Sequence, residues 1–218
     1  MNIYIVTEGI TESIVYKKWI PQINPALSAV STISDVDQNK FFIVSSMGYP
    51  FYFETIANAI EDVNHLKKFD RLVITIDSEE MSRIQKYDEV ADFVRSHPCR
   101  FNPRIVVQHF CFETWALGNR KIISPVPENR RLRQYKKFFD VRQFDPELLP
   151  ALPEEEMNRA QFAEKYLRLA LNDRYPTLTY SKANPKALLH TTYLEQVRLR
   201  ATKTNHIDSF HEFLRAFS

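Results

Sequence analysis

Apolar positions recur along the first half of the chain in two alternating rhythms. Residues 3–7, IYIVT, form a short run of β-branched and aromatic side chains that predicts a strand, and residues 11–20, TESIVYKKWI, space Ile14, Val15 and Trp19 for one face of a helix. Residues 41–46, FFIVSS, repeat the strand signal, and the segment from Pro50 to Lys68 repeats the helical one through Phe53, Ile56, Ile60 and Val63. Residues 71–76, RLVITI, are the most continuous apolar run, as expected of a central strand in a parallel sheet covered on both faces. A helix over residues 82–96 and a fourth strand at 104–110, RIVVQHF, complete the alternation. The expected fold is α/β: a mostly parallel, doubly wound central sheet with helices on both faces.

Beyond residue 120 the strand signal stops. Residues 120–153 are rich in proline and charge, and helical patterns resume at about 154–174, 185–201 and 206–217. This predicts a sheet domain over residues 1–119, followed by a basic connecting segment and a helical C-terminal subdomain over 120–218. Glycine changes the picture by its scarcity, with three in 218 residues where average usage of about 7% would give about fifteen. Gly9 and Gly48 stand where an apolar run ends and a helical pattern begins, where a tight turn needs a residue without a Cβ.

Composition excludes more than it assigns. With 44% hydrophobic and 13% aromatic residues the chain can bury a full core. The net charge of +2 makes no global case for nucleic-acid binding. Cys99 and Cys111 are too few for a disulfide framework and lack the paired spacing of a zinc site, which fits a reducing, cytoplasmic setting. The opening MNIYIVTEG has no basic region ahead of its apolar run, so no signal peptide is expected, and no apolar stretch reaches the roughly 20 residues that span a bilayer. No membrane association is therefore expected.

Acidic residues fall at strand ends. Glu8 closes the first strand, while Asp77, Glu79 and Glu80 follow the third in IDSEE. Functional groups of open α/β sheets collect at the carboxyl ends of strands. Carboxylates gathered there repel unless a cation or a proton holds them together, and an oxygen-rich set suits Mg²⁺ or Mn²⁺.

Glu8-Gly9 within TEGITE, then a helix, a second βα unit and Asp77-Ser78-Glu79 after a hydrophobic strand, together resemble the Toprim domain of topoisomerases, DnaG-type primases and OLD-family nucleases. The resemblance covers about residues 1–115. Glu12 completes an E-G-x-T-E form similar to that of small single-domain Toprim proteins of bacterial defence loci and of OLD-type nucleases. CFETWALG resembles a segment some of those proteins carry, which adds Glu113, and SKANPK adds Lys182 and Lys186. One departure is that Glu79 stands where the family pattern has a second Asp.

The resemblance implies a catalytic set of Glu8, Asp77, Glu79, Glu113 and Lys182, with Glu8, Glu12, Asp77 and Glu79 as ligands of Mg²⁺ (or Mn²⁺). Glu8 would act in acid/base or metal chemistry. The implied activity is a metal-dependent nuclease hydrolysing DNA or RNA, acting as an antiphage defence effector. No Walker-type GxxxxGK[ST] occurs in the chain, so an ATPase would be a separate partner. Homo-oligomerisation is left open. The alternative is a non-catalytic Toprim module that binds nucleic acid or a partner ATPase. No tyrosine is evidently placed as a strand-passage nucleophile, which favours hydrolysis by activated water.

Several of these residues have a plainer reading. Glu12 can pair with Lys17 or Lys18 or be solvated, Glu80 can be an exposed helix-start acid, and Glu113, between Phe112 and Trp115, can be a buried structural acid. A lysine such as Lys182 is either solvated or set to hold the scissile phosphate. Residues 120–142 carry eight basic side chains against Glu128 and Asp140. Of these, Arg130, Arg131, Arg133, Lys136 and Lys137, interleaved with Tyr135, Phe138 and Phe139, are candidates for nucleic-acid contact or for a solvated face. The histidines show no ligand spacing. His109 reads as a satisfied core residue, and His206 and His211 as two residues of one terminal helix.

Overall fold

The protein is represented by a computed structural model that describes residues 1–48, 50–178 and 180–218. Among these residues the fold is α/β around one five-stranded parallel sheet. The strands are β1 (Ile3–Thr7), β2 (Ser28–Ala29), β3 (Lys40–Ser45), β4 (Arg71–Asp77) and β5 (Arg104–Gln108), in the order β2-β3-β1-β4-β5. The helices are α1 (Ile10–Ile23), α2 (Phe51–Leu66), α3 (Arg83–Arg95), α4 (Phe112–Ala116), α5 (Arg130–Phe138), α6 (Arg159–Arg174), α7 (Thr191–Thr204) and α8 (Phe210–Phe217). Among the described residues no helix is long and apolar enough to cross a membrane. Cys99 and Cys111 are both free thiols.

Two compact units divide the chain. The first comprises Met1–Ile76, Arg83–Val107 and Glu212–Ser218, and the second Asp77–Ser82 and Gln108–His211. This division does not coincide with the expected boundary at residue 119. Trp115 of α4 packs edge-on against Phe210, and Tyr193 of α7 donates to the Ala116 carbonyl at 2.9 Å, so the FETWALG segment belongs with the later helices. Residues 212–218 instead complete the sheet unit, where Phe213 meets Tyr16 of α1 and Asn24 donates to the Phe217 carbonyl.

In the first unit β1 lies between β3 and β4, with Thr7 opposite Ser45 on one side and Thr75 on the other. Alternate residues of these strands face opposite layers. Tyr4, Val6, Leu72, Ile74 and Val107 join Ile56 and Val63 of α2 and Val90 of α3 in one apolar cluster. Ile3, Ile5, Phe41 and Val73 point the other way and are equally buried, as are Val15, Tyr16 and Trp19 of α1. Both faces are thus covered, which is why the strands read as continuous apolar runs. Gly48, at φ +92°, turns the chain between β3 and α2 in a conformation L side chains rarely adopt.

The second unit is built differently. Leu132 and Tyr135 of α5 pack on α6 through the Tyr135–Phe162 ring pair. Arg200 of α7 is buried and donates to the carbonyls of Val141 (2.6 Å) and Phe144 (2.5 Å). Helix α5 is absent from the expectation drawn above. Only two of its side chains turn inward, and it is started by the Asn129 side chain, which accepts from the N–H groups of Arg131 and Leu132. Helix α6 begins at Arg159 rather than 154, because Pro153–Glu155 forms a separate 3₁₀ turn and Asn158 with Gln161 makes a capping box. His206 and His211 do not share a helix: Asn205 and Ile207 take left-handed backbone angles and end α7 there, and α8 starts only at Phe210.

Candidate active site

The second unit gathers part of the expected set. β4 ends at Asp77 and β5 at Gln108, and the ladder between them continues past the strands, from Ser78 N–H to the Gln108 carbonyl (2.9 Å) and from Glu79 N–H to the Phe110 carbonyl (2.8 Å). The Gln108 side-chain amide donates to Asp77 Oδ1 at 2.6 Å. Helix α4 presents Glu113 in its first turn, two residues after the Cys111 N-cap, and Glu113 Oε1 accepts from the Tyr180 hydroxyl at 2.9 Å. Glu113, Tyr180 and Gln108 are buried, and Asp77 is half-buried.

Charge binds these groups to Lys182. The Glu113 carboxylate, with Asp77 and Glu164 behind it, outweighs partial desolvation and holds the Lys182 amine above its ordinary range, so it stays protonated. Burial, then Glu113 and Asp77, pushes the Cys111 thiol well above its usual range, so it is a poor nucleophile. Burial and then Glu113 likewise raise Tyr180, which remains a neutral phenol donor. Asp77, Glu113 and Lys182 therefore form one electrostatic group, with Gln108 and Tyr180 fixing the two carboxylates.

The other expected residues are placed as follows. Glu79 is exposed, with a left-handed backbone (φ 49°), a conformation uncommon for a residue with a side chain. Glu80 is exposed and bound by Arg159, whose backbone N–H and Nε reach its two oxygens at 3.0 and 3.2 Å. His109 is half-buried, one residue beyond β5, with Nδ1 2.7 Å from the hydroxyl of the fully buried Ser78.

Glu8 and Glu12 belong to the first unit. The Glu8 carbonyl accepts from Ser46 Oγ and from Gly48 N–H, both at 3.1 Å, which pins the end of β1. Glu12, in the first turn of α1, is only 4% exposed, which removes the solvated alternative for it. A Cβ at Gly9 would lie 2.7 Å from Glu12 Oε2, so the glycine makes room for the carboxylate of Glu12.

The basic candidates lie on α5, in the second unit, and divide into two groups. Arg131 pairs with Glu155 at 3.0 Å, Arg133 donates to the carbonyls of Pro127 and Glu128, and Lys136 donates to those of Ser124 and Pro125. These three hold the local fold, whereas Arg130 and Lys137 are exposed.

Among the described residues no three His, Cys, Asp or Glu side chains are grouped to hold a metal ion. The second unit offers two carboxylates, Asp77 and Glu113, each oriented by a neutral donor. Mg²⁺ is commonly held by one or two carboxylates, with water and substrate phosphate supplying the rest, so this donor set fits that ion without an all-protein cage. Gln108 and Tyr180 are the site residues missed in the sequence. A polar residue closing the apolar run RIVVQ was the one available signal for Gln108, and nothing local marks Tyr180. Compared with known protein families, with curated proteins and with solved structures, the chain finds no match.

Proposed function

We propose that the protein is a metal-dependent nuclease that hydrolyses phosphodiester bonds of DNA or RNA with Mg²⁺ or Mn²⁺, using Asp77, Glu113 and Lys182. The observation that carries this reading is the pair of carboxylates, Asp77 at the end of β4 and Glu113 on α4, each fixed by a neutral donor at 2.6 and 2.9 Å, with the Lys182 amine kept protonated chiefly by Glu113. Two carboxylates and an obligatory cation match what a phosphodiester needs: ligands for a divalent ion and a positive group for a non-bridging oxygen. When bound, the ion would supply polarisation of the phosphorus and a more acidic water.

The chain's own groups have separable tasks. Gln108 and Tyr180 keep Asp77 and Glu113 in fixed orientations, which limits reorganisation as charge develops. Lys182 neutralises charge on the phosphate. Cys111 contributes no thiolate, which favours water as the nucleophile over a covalent cysteine intermediate.

The test is cleavage of a mixed DNA and RNA panel with Mg²⁺, Mn²⁺ or EDTA. Asp77→Asn and Glu113→Gln are each expected to lower the rate on the order of 10²- to 10⁴-fold, with partial rescue of Asp77→Asn by raised Mn²⁺. Glu8→Gln tests the family-derived role of Glu8, with a loss of similar size that metal does not restore. The alternative reading is a non-catalytic module that binds nucleic acid or an ATPase. Metal-independent binding without cleavage of any substrate would establish that alternative.

A further inference from the structure

The second unit also contains a basic concavity of about 550 Å³ whose lining includes Arg120, Lys121, Arg142 and Arg174 and no acidic residue. Among the described residues no side-chain hydrogen bond or ion pair engages Lys121, Arg142 or Arg174. Arg120 is the sharper anomaly: its Nε is buried and has no hydrogen-bond partner. A buried guanidinium N–H without an acceptor is costly, and such groups in native structures usually have a function or a missing ligand.

The surroundings deepen the need for an anion. Arg200 lies close enough to Arg120 that, after burial itself, Arg120 is the largest influence pushing it down to about 10. Arg200 is itself donor-only, bound to the Val141 and Phe144 carbonyls, so it has no acceptor to offer Arg120. The concavity is also preformed on one side, because Lys136 ties down the carbonyls of Ser124 and Pro125, two of its lining residues. Its size falls within the roughly 300–1,000 Å³ of small-molecule sites. The same lining supplies Tyr175, a residue 41% exposed, with apolar Ile123 and Pro125.

We infer that this concavity binds a nucleotide, with Arg120, Lys121, Arg142 and Arg174 taking its phosphates and Tyr175 its base. Guanidinium forks match phosphate oxygens bidentately, and an exposed aromatic ring stacks on any base. The nucleotide is either a free nucleoside triphosphate or one unit of a nucleic-acid strand. The inference does not rest on hydrolysis at Asp77 and Glu113, and its test is run without metal.

Isothermal titration of the full chain in EDTA and low salt uses ATP, inorganic tripolyphosphate and a short single-stranded oligonucleotide. ATP is expected to bind one to one, and Arg142→Ala with Arg174→Ala to weaken it roughly tenfold or more while leaving the circular dichroism and melting unchanged, since both side chains are exposed. Tripolyphosphate should bind more weakly than ATP, and Tyr175→Ala should close that gap. If the oligonucleotide also binds, competes with ATP and suffers the same loss, the site takes a unit of a strand; if only ATP responds, it takes the free nucleotide. No binding of either at about 1 mM overturns the inference. Binding unchanged in the double variant, or tripolyphosphate equal to ATP with no effect of Tyr175→Ala, overturns it as well.

Discussion

The two units weight apolar packing and buried polar pairing differently. The first seals a sheet between apolar layers, from Ile3 and Val73 on one face to Val6 and Ile74 on the other, and also buries Glu12 and Lys86. The second buries Arg200, Glu113 and Glu147 and satisfies each through named partners: backbone carbonyls for Arg200, Tyr180 for Glu113, and the Ser209 N–H and hydroxyl for Glu147. A hydrocarbon core depends on volume and tolerates exchange among similar shapes. A polar interior depends on matched partners and fails when one is lost.

Arg200 gives the largest test of that contrast. Arg200→Met leaves the Val141 and Phe144 carbonyls unsatisfied and is expected to cost about 4 kcal/mol in urea unfolding. Arg200→Lys should recover only part of this, because a point-charge ammonium cannot serve the same spread of acceptors. In the first unit Ile74→Ala is expected to cost about 3 kcal/mol, whereas Ile74→Leu should cost less than about 1.5 kcal/mol. Equal tolerance of Arg200→Lys and Ile74→Leu would break the comparison.

A smaller effect should appear at alkaline pH. Burial, then the hydrogen bond to Glu155, pushes the Tyr135 phenol from 10.0 up to about 12. A raised folded-state value means that the protonated phenol stabilises the fold fully below pH 10, and that this contribution is lost as pH rises through 12. The stability difference between wild type and Tyr135→Phe should therefore narrow across that window, measured by chemical unfolding at successive pH values. A constant difference would remove Tyr135 from the linkage.

The smallest effect concerns α5. Replacing the exposed Arg130 and Lys137 by alanine should leave stability within about 0.5 kcal/mol. If α5 touches nucleic acid, the slope of log affinity against log salt should fall by about two. Replacing Arg131, Arg133 and Lys136 should instead lower stability first, because their partners lie within the unit.

The same contrast explains what was legible in the sequence. β1, β3 and β4 could be bounded nearly to the residue because apolar runs are written locally, and Asp77 was legible because it closes such a run. The two-residue β2 carries no pattern, and α5 buries too few side chains to show one. Glu113 and Lys182 were visible as residues of the right chemistry, but their shared site depends on a partner to Glu113, Tyr180, that lies 67 positions away. The basic stretch read as one surface, yet its cations divide among carbonyl ties, an ion pair, exposed positions and an empty-handed Arg120. Charge runs give the number of cations and not their partners.

Residues 212–218 bear on how the protein is made. Phe213 packs on Tyr16, and Arg71 of β4 donates to the Ala216 carbonyl, so the sheet unit needs side chains encoded more than a hundred positions after β5 ends. During synthesis at roughly 5–20 residues per second, β1 to β5 emerge and then wait on the order of ten seconds before that cover exists. Through this interval Tyr16 of α1 lacks its Phe213 partner and Arg71 lacks its Ala216 acceptor. A nascent chain stalled or truncated before residue 212 would leave the Tyr16 ring of α1 without its aromatic cover, a natural target for chaperones and for quality-control proteases.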